Sequence, residues 1–172
     1  MGFTRRVFIK GAAAAALVTA SGLSFAADTI KIGYVSPQTG PLAPFGEADK
    51  WVIEQMKGAF KDGVTVAGKK YAVEIVLKDS QSNPNRAGEV ANDLILKDKV
   101  AMILTAGTPE TANPVSDACE LNELPCVSSV VPWQPWFFGR KGDPAKGFKW
   151  TYHVFWGLED VIANFTNGWN SV

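Results

Sequence analysis

Beyond residue 26 the chain has no long apolar run, and in 172 residues it carries one histidine and two cysteines. Without a second apolar span, nothing past the amino terminus reads as a membrane-crossing helix. A single histidine removes most His-based triads. His153 itself lies in the aromatic run 150–156, where packing is the commoner role than general base catalysis. Two thiols and one distant imidazole do not compose a zinc site. Excess charge is missing as well: 17 Lys and Arg balance 17 Asp and Glu. The basic residues are interleaved with acidic ones, so no patch exists to hold a phosphate backbone, and nucleic acid is excluded as a partner.

Catalytic and nucleotide motifs are also lacking. There is no G-x-S-x-G elbow and no G-x-G-x-x-G loop. Residues 63–70 place two glycines and Lys69 at phosphate-loop spacing, but Lys70 stands where a magnesium-binding hydroxyl belongs, and a β pattern follows instead of a helix. A hairpin turn is the expectation there. No catalytic residue, cofactor motif or metal set is assigned.

What is present begins with an export signal. Arg5 and Arg6 open a basic stretch with Phe8 and Lys10 at twin-arginine offsets, and residues 11–25 form an apolar, Ala-rich run too short to span a bilayer. Ser24 and Ala26 fit a small-residue cleavage site, so residues 1–26 read as a signal peptide and the mature chain begins at Ala27. Cleavage removes Arg5, Arg6 and Lys10 and no acid, leaving 14 basic against 17 acidic residues. Outside the cytoplasm Cys119 and Cys126, with six residues between them, on an expected helix and the next strand, can pair as a disulfide or remain free thiols. The Cα separation of about 4.4–6.8 Å that a disulfide needs is not readable from spacing.

The mature chain alternates strand and helix patterns. Ile30, Ile32, Tyr34 and Val35 form a first strand. Ala48, Trp51, Val52, Met56, Ala59 and Phe60 recur at helical spacing, and residues 64–66 and 71–77 flank a turn. Pro84 opens a second helix with the stripe Ala87, Val90, Ala91, Leu94 and Ile95. A strand at 100–104, a helix carrying Val115, Ala118 and Leu121, and a strand at 125–129 complete the order. Such alternation with short connections predicts an α/β fold, a doubly wound parallel sheet with helices on both faces.

Ligands of such sheets sit at the carboxyl ends of the strands. Here those ends are residues 36–46, 79–83, 105–111 and 128–136, rich in hydroxyls and aromatics and without a converging acid/base pair. Amides at the start of the helix near residues 110–113 suit a carboxylate. Residues 133–172 hold 11 of the 19 aromatics, broken by Gly139, Gly142, Pro144 and Gly147, so this stretch reads as loop-rich and leaving the sheet. A last helical stripe, Leu158, Val161, Ile162, Phe165 and Trp169, has no partner, which predicts that the protein continues in a second half.

The segments 30–46, 78–84, 105–114 and 124–128 resemble, in order and spacing, the branched-chain amino-acid-binding class of ABC-transporter substrate-binding proteins. That resemblance implies the first lobe of a two-lobe type I periplasmic-binding-protein fold: residues 27–147 the lobe, 148–157 a hinge crossing, 158–172 the start of lobe two. It further implies a periplasmic monomer that takes an amino acid or related small carboxylate or amide, uses no cofactor, and delivers its ligand to a membrane permease. By position, Phe45 corresponds to the aromatic that packs on the ligand side chain. Thr108 corresponds to the hydroxyl that bonds its carboxylate, beside the Gly107 and Thr108 amides. In the fourth loop Val130, Val131 and Pro132 replace the family's small residues and Thr, while Trp133 and Trp136 either form a bulkier wall or pack against lobe two. An exported α/β hydrolase with its catalytic groups elsewhere in the protein, and a ligand-sensing receptor on the same fold, remain alternatives.

Overall fold

The fold is described by a computed structural model covering residues 28–171. The expected signal peptide, its cleavage site and the Ala27 start lie outside the described residues. Among these, no helix is long and apolar enough to cross a membrane.

Six strands form one sheet: β1 (Thr29–Ser36), β2 (Val64–Val66), β3 (Lys69–Asp79), β4 (Met102–Ala106), β5 (Cys126–Ser129) and β6 (Thr151–His153). Their spatial order is β2-β3-β1-β4-β5-β6, parallel throughout except for the antiparallel β2–β3 pair. That pair is the expected hairpin, closed by Ala67 and Gly68, both at positive φ, as a two-residue turn of the primed type requires. Helices α1 (Asp49–Ala59), α2 (Pro84–Asp93), α3 (Pro109–Leu121), α4 (Trp133–Gly139) and α5 (Leu158–Asn170) complete the chain.

Alternation along β1 divides the core. Val35 faces a cluster built with Val90, Ala91 and Leu94 and with Val115 and Cys119, whereas Tyr34 faces Ile53 of α1 on the opposite side. The sheet is therefore doubly wound, with α2 and α3 on one face and α1 on the other. Gly33 lets the end of α2 approach β1 closely, because a Cβ there would lie 2.8 Å from Leu94 Cδ1.

Two segments differ from the sequence expectation. β4 runs two residues later than 100–104, because a π turn at Leu94–Asp98 prolongs α2 and Lys99, in the left-handed region, ends it. Residues 133–139, expected as loop, form α4: Trp136, Phe137 and Phe148 pack with Ala112 and Val131 into a third cluster. The expected crossing also begins as an edge strand, since β6 registers on β5 with Ser128 opposite His153.

Candidate functional site

The carboxyl ends of β1 and β3 are tied together by one side chain. Asp79 Oδ1 accepts the Gln38 N–H at 2.8 Å, the Thr39 N–H at 3.3 Å and the Gln81 N–H at 2.7 Å, while Oδ2 accepts the Thr39 hydroxyl at 2.6 Å. Burial alone would raise the Asp79 pKa; the Thr39 hydroxyl and the three backbone donors outweigh it and hold the carboxyl below its ordinary range. Ser82 adds a second tie, donating to the Thr39 carbonyl at 2.6 Å and accepting from the Leu42 N–H at 2.9 Å.

Beneath this loop lies a buried polar relay. Tyr34 donates to Asp49 Oδ1 at 3.0 Å, and Gln38 Nε2 reaches both Ser36 Oγ at 2.8 Å and Asp49 Oδ2 at 3.3 Å. Burial, then the Asp49 charge, drives the Tyr34 hydroxyl far above its ordinary range, so it stays a donor. The short 3₁₀ turn Ala43–Gly46 displays Phe45, which is 51% exposed.

At the end of β4, Gly107 takes a φ of 142° and its backbone presses on the first loop: a Cβ would meet Pro37 Cδ at 3.1 Å and Thr111 Oγ1 at 2.8 Å. Thr108 caps α3 through its carbonyl, which accepts from Thr111 N at 3.1 Å and Ala112 N at 2.9 Å. Its hydroxyl is shielded from solvent and makes no hydrogen bond of normal geometry. The Glu110 carboxyl nevertheless lies near enough for that hydroxyl to hold it below its ordinary range, aided by its own backbone N–H. A negative side chain thus already stands in the first turn of the helix where a ligand carboxylate was expected.

The fourth loop follows β5. Val130 takes a φ of 72°, a conformation costly for a β-branched residue, and packs against the Tyr34, Ile53 and Ala106 cluster. Val131 is fully buried and Trp136 is 5% exposed, so neither offers a wall to a ligand. Pro132 caps α4, and Trp133 stands at its first turn, 37% exposed, donating from Nε1 to Glu159 Oε1 at 2.8 Å. Gln134 also bonds Glu159 and accepts from Leu158 N at 2.8 Å, so the start of α5 is fastened to α4.

Gly107 and Val130 therefore share one edge with Thr108 and the first loop, Phe45 projects from its own turn, and Trp133 is engaged toward α5. Residue-type reasoning missed Asp79 as the tie between loops and Glu159 as the tie to α5. An acid closing a strand just before a Ser-Gln-Ser loop was the only available signal for Asp79.

The edge has little chemistry. His153 Nδ1 lies 2.8 Å from Ser128 Oγ, but Ser128 is fully buried and also donates to the Tyr152 carbonyl at 3.2 Å. His153 stacks on Trp136 with centroids 5.0 Å apart, and burial lowers its pKa against a smaller opposing pull from the Val131 backbone. Among the described residues no group of three or more His, Cys, Asp or Glu could hold a metal.

The family described as periplasmic binding protein matches residues 29–167. The leucine-, isoleucine-, valine-, threonine- and alanine-binding protein of Pseudomonas aeruginosa is 33% identical over 112 residues, which is 63% of this chain and 28% of that protein. A solute-binding protein of an ABC transporter from Rhodopseudomonas palustris BisB5, solved with 3,4-dihydroxybenzoic acid, superposes with a TM-score of 0.59 at 27% identity, covering 75% of this chain and 32% of the other. A leucine-binding protein from Thermotoga maritima MSB8 gives a TM-score of 0.56 at 26% identity, covering 74% and 33%. The chain thus spans about a third of the length of the relatives it matches. Their shared architecture is one lobe of the type I periplasmic-binding-protein fold.

Proposed function

The chain belongs to the periplasmic-binding-protein family, and from that premise we propose that it forms the first lobe of a substrate-binding protein for an ABC transporter. Residues 1–26 direct export and are removed near Ala26. Residues 27–147 make the lobe, 148–157 cross to a second lobe, and 158–172 begin it. The protein works as a monomer without cofactor, catalyses nothing, and delivers its ligand to a membrane permease.

The observation that carries this reading is the single edge assembled by Asp79 and by the Gly107–Pro37 contact, which gathers the loops after β1, β3 and β4. It brings the Gly107–Thr108 backbone and the unpaired Thr108 hydroxyl, shielded in this lobe, beside the loop that carries the exposed Phe45 ring, which suits a small molecule with a polar head and an apolar body. The ligand is a small carboxylate or amide, an amino acid or an aromatic acid, the classes named for the relatives. Phe45 packs on its apolar part, Gly107 and Thr108 hold its polar head, Val130 and Pro132 border it, and Trp133 closes the rim.

Binding is by closure of two lobes around the ligand, so this lobe alone binds weakly. Full-length protein screened against amino acids, their amides, organic acids and hydroxybenzoates should show one class that raises the melting temperature and shifts tryptophan emission, with no turnover. A screen in which none of these stabilises the protein, or in which product forms, overturns the proposal.

A further inference from the structure

The chain's two cysteines meet inside the lobe. Cys119 and Cys126 are both fully buried free thiols, in the cluster that also holds Val115, Ala118 and Ile103. The end of α3 explains why they converge. Glu123 adopts a φ of 54° and the Leu124 N–H returns to the Cys119 carbonyl at 3.0 Å, the six-to-one bond of a Schellman close. That bond folds the chain back under Cys119 just before Pro125, and Cys126 then enters β5 opposite Ile103 and Thr151. Both side chains lie in that one buried cluster, and the neighbouring Cys126, ahead of burial, drives the Cys119 thiol far above its ordinary range.

We propose that Cys119 and Cys126 close a disulfide as the chain folds in the presence of a small-molecule or protein disulfide oxidant, stapling the carboxyl end of α3 to β5. In the reaction one thiolate attacks the oxidant's S–S bond to give a mixed disulfide and one released thiol. The second thiolate then displaces the other, so the Cys119–Cys126 bond forms while the oxidant's bond is reduced to two thiols. Two electrons and two protons pass to the oxidant. Exchange precedes final packing, because in the folded lobe both sulfurs are shielded and the thiolate is disfavoured. The same shielding keeps the finished bond from reductant. Residues 1–172 hold no third cysteine, so neither thiol has another cysteine partner within this lobe. The staple lies at the opposite end of α3 from Thr108, so it stiffens the helix and strand behind the ligand edge without touching that edge.

The test needs no knowledge of the ligand. Full-length protein is unfolded with reductant, then refolded either with oxidised glutathione or with dithiothreitol, unfolded again, alkylated and weighed. In the peptides that carry them, Cys119 and Cys126 should take up no alkyl group in the oxidised sample and one each in the reduced sample. Cleavage after glutamate, which cuts at Glu120 and Glu123 between the cysteines, should leave two peptides joined until reduction. The oxidised form should melt about 5–10 °C above the reduced form, and C119A/C126A should melt identically in both buffers. Protein purified without reductant and alkylated after unfolding provides the same readout without refolding. Alkylation of both Cys119 and Cys126 after oxidative refolding, persistent mixed disulfides of either with glutathione, or equal melting of the oxidised and reduced wild type would each overturn the proposal.

Discussion

Arg140 lies over the Phe148 ring, its guanidinium carbon 3.9 Å from the centroid, with Trp136 on a second side at 4.8 Å. The side chain is 1% exposed; Nε donates to Asp117 at 2.7 Å and Nη1 to Thr151 Oγ1 at 3.0 Å. Glu120 completes the knot by accepting from Lys149 N at 2.8 Å, Trp150 N at 3.0 Å and Thr151 Oγ1 at 3.0 Å. One buried cation thus joins α3, α4 and β6, and its surroundings make its removal expensive.

Arg140→Ala should destabilise the lobe by about 3–5 kcal/mol, because it removes the positive charge near Glu120 and leaves a void beside two aromatic rings. Asp117→Ala should cost less, about 1–3 kcal/mol, since Asp117 itself is half exposed but the Arg140 Nε–H it leaves behind is buried. Urea unfolding of both variants checks the asymmetry; equal losses would contradict it.

His153 sets the pH at which stability first declines. Its folded pKa lies below its ordinary 6.5, chiefly through burial. A base with a depressed pKa is protonated more readily when unfolded, so stability is whole above 6.5 and is lost as pH falls from there toward the lower folded value. Glu120 and Asp79, also depressed, act only further down, as pH falls past 4.5 and 3.8. His153→Gln should flatten the melting temperature as pH falls below 6.5 while leaving the acid limb, as a pH series of thermal melts would report.

The legible parts of this fold were those specified locally. β1 and α2 could be read from apolar spacing and from Pro84 at the helix start; the cap itself is Asn83, whose Oδ1 accepts from Asn85 N and Arg86 N at 2.9 and 3.0 Å. Helix α4 could not. Trp133–Gly139 has Pro135 inside it and no polar face to break the pattern, and it is helical because Trp136 inserts beside Ala112 and Val131 and donates to Ser116 Oγ at 3.1 Å. Those partners are distant in sequence, as Gln38 and Thr39 are from Asp79, so neither relation leaves a periodic trace. The site is legible as a set of loops, and its internal ties are not.

Val130 pays for its position in backbone strain. At a φ of 72°, glycine is unstrained where valine costs about 1–2 kcal/mol. Val130→Ala keeps the strain and loses packing against Tyr34 and Ala106, so it should destabilise by about 1 kcal/mol. Val130→Gly should be at least as stable as Val130→Ala despite its greater freedom when unfolded. Chemical denaturation ranks the pair, and a glycine variant clearly weaker than alanine would show that the strain is not there.

Asp79 provides the test that joins fold to binding. Four donors from the first and second loops converge on its carboxylate, so Asp79→Ala leaves the Gln38, Thr39 and Gln81 N–H groups to water and frees the loop that carries Phe45. Because the pair of loops is largely solvated, water recovers much of the loss, and the lobe should be destabilised by only about 1–2 kcal/mol. The loop's ordering cost would then fall on ligand binding, weakening affinity by about tenfold or more while folding is retained. Asp79→Asn keeps the side-chain carbonyl as an acceptor and should recover part of that affinity. Its affinity should stay level as pH falls below 3.8, where the wild type begins to lose its carboxylate charge. Titration calorimetry on full-length protein with whichever ligand the screen returns separates the cases: an Asp79→Ala variant that binds like wild type would mean that the first loop holds its shape without this carboxylate.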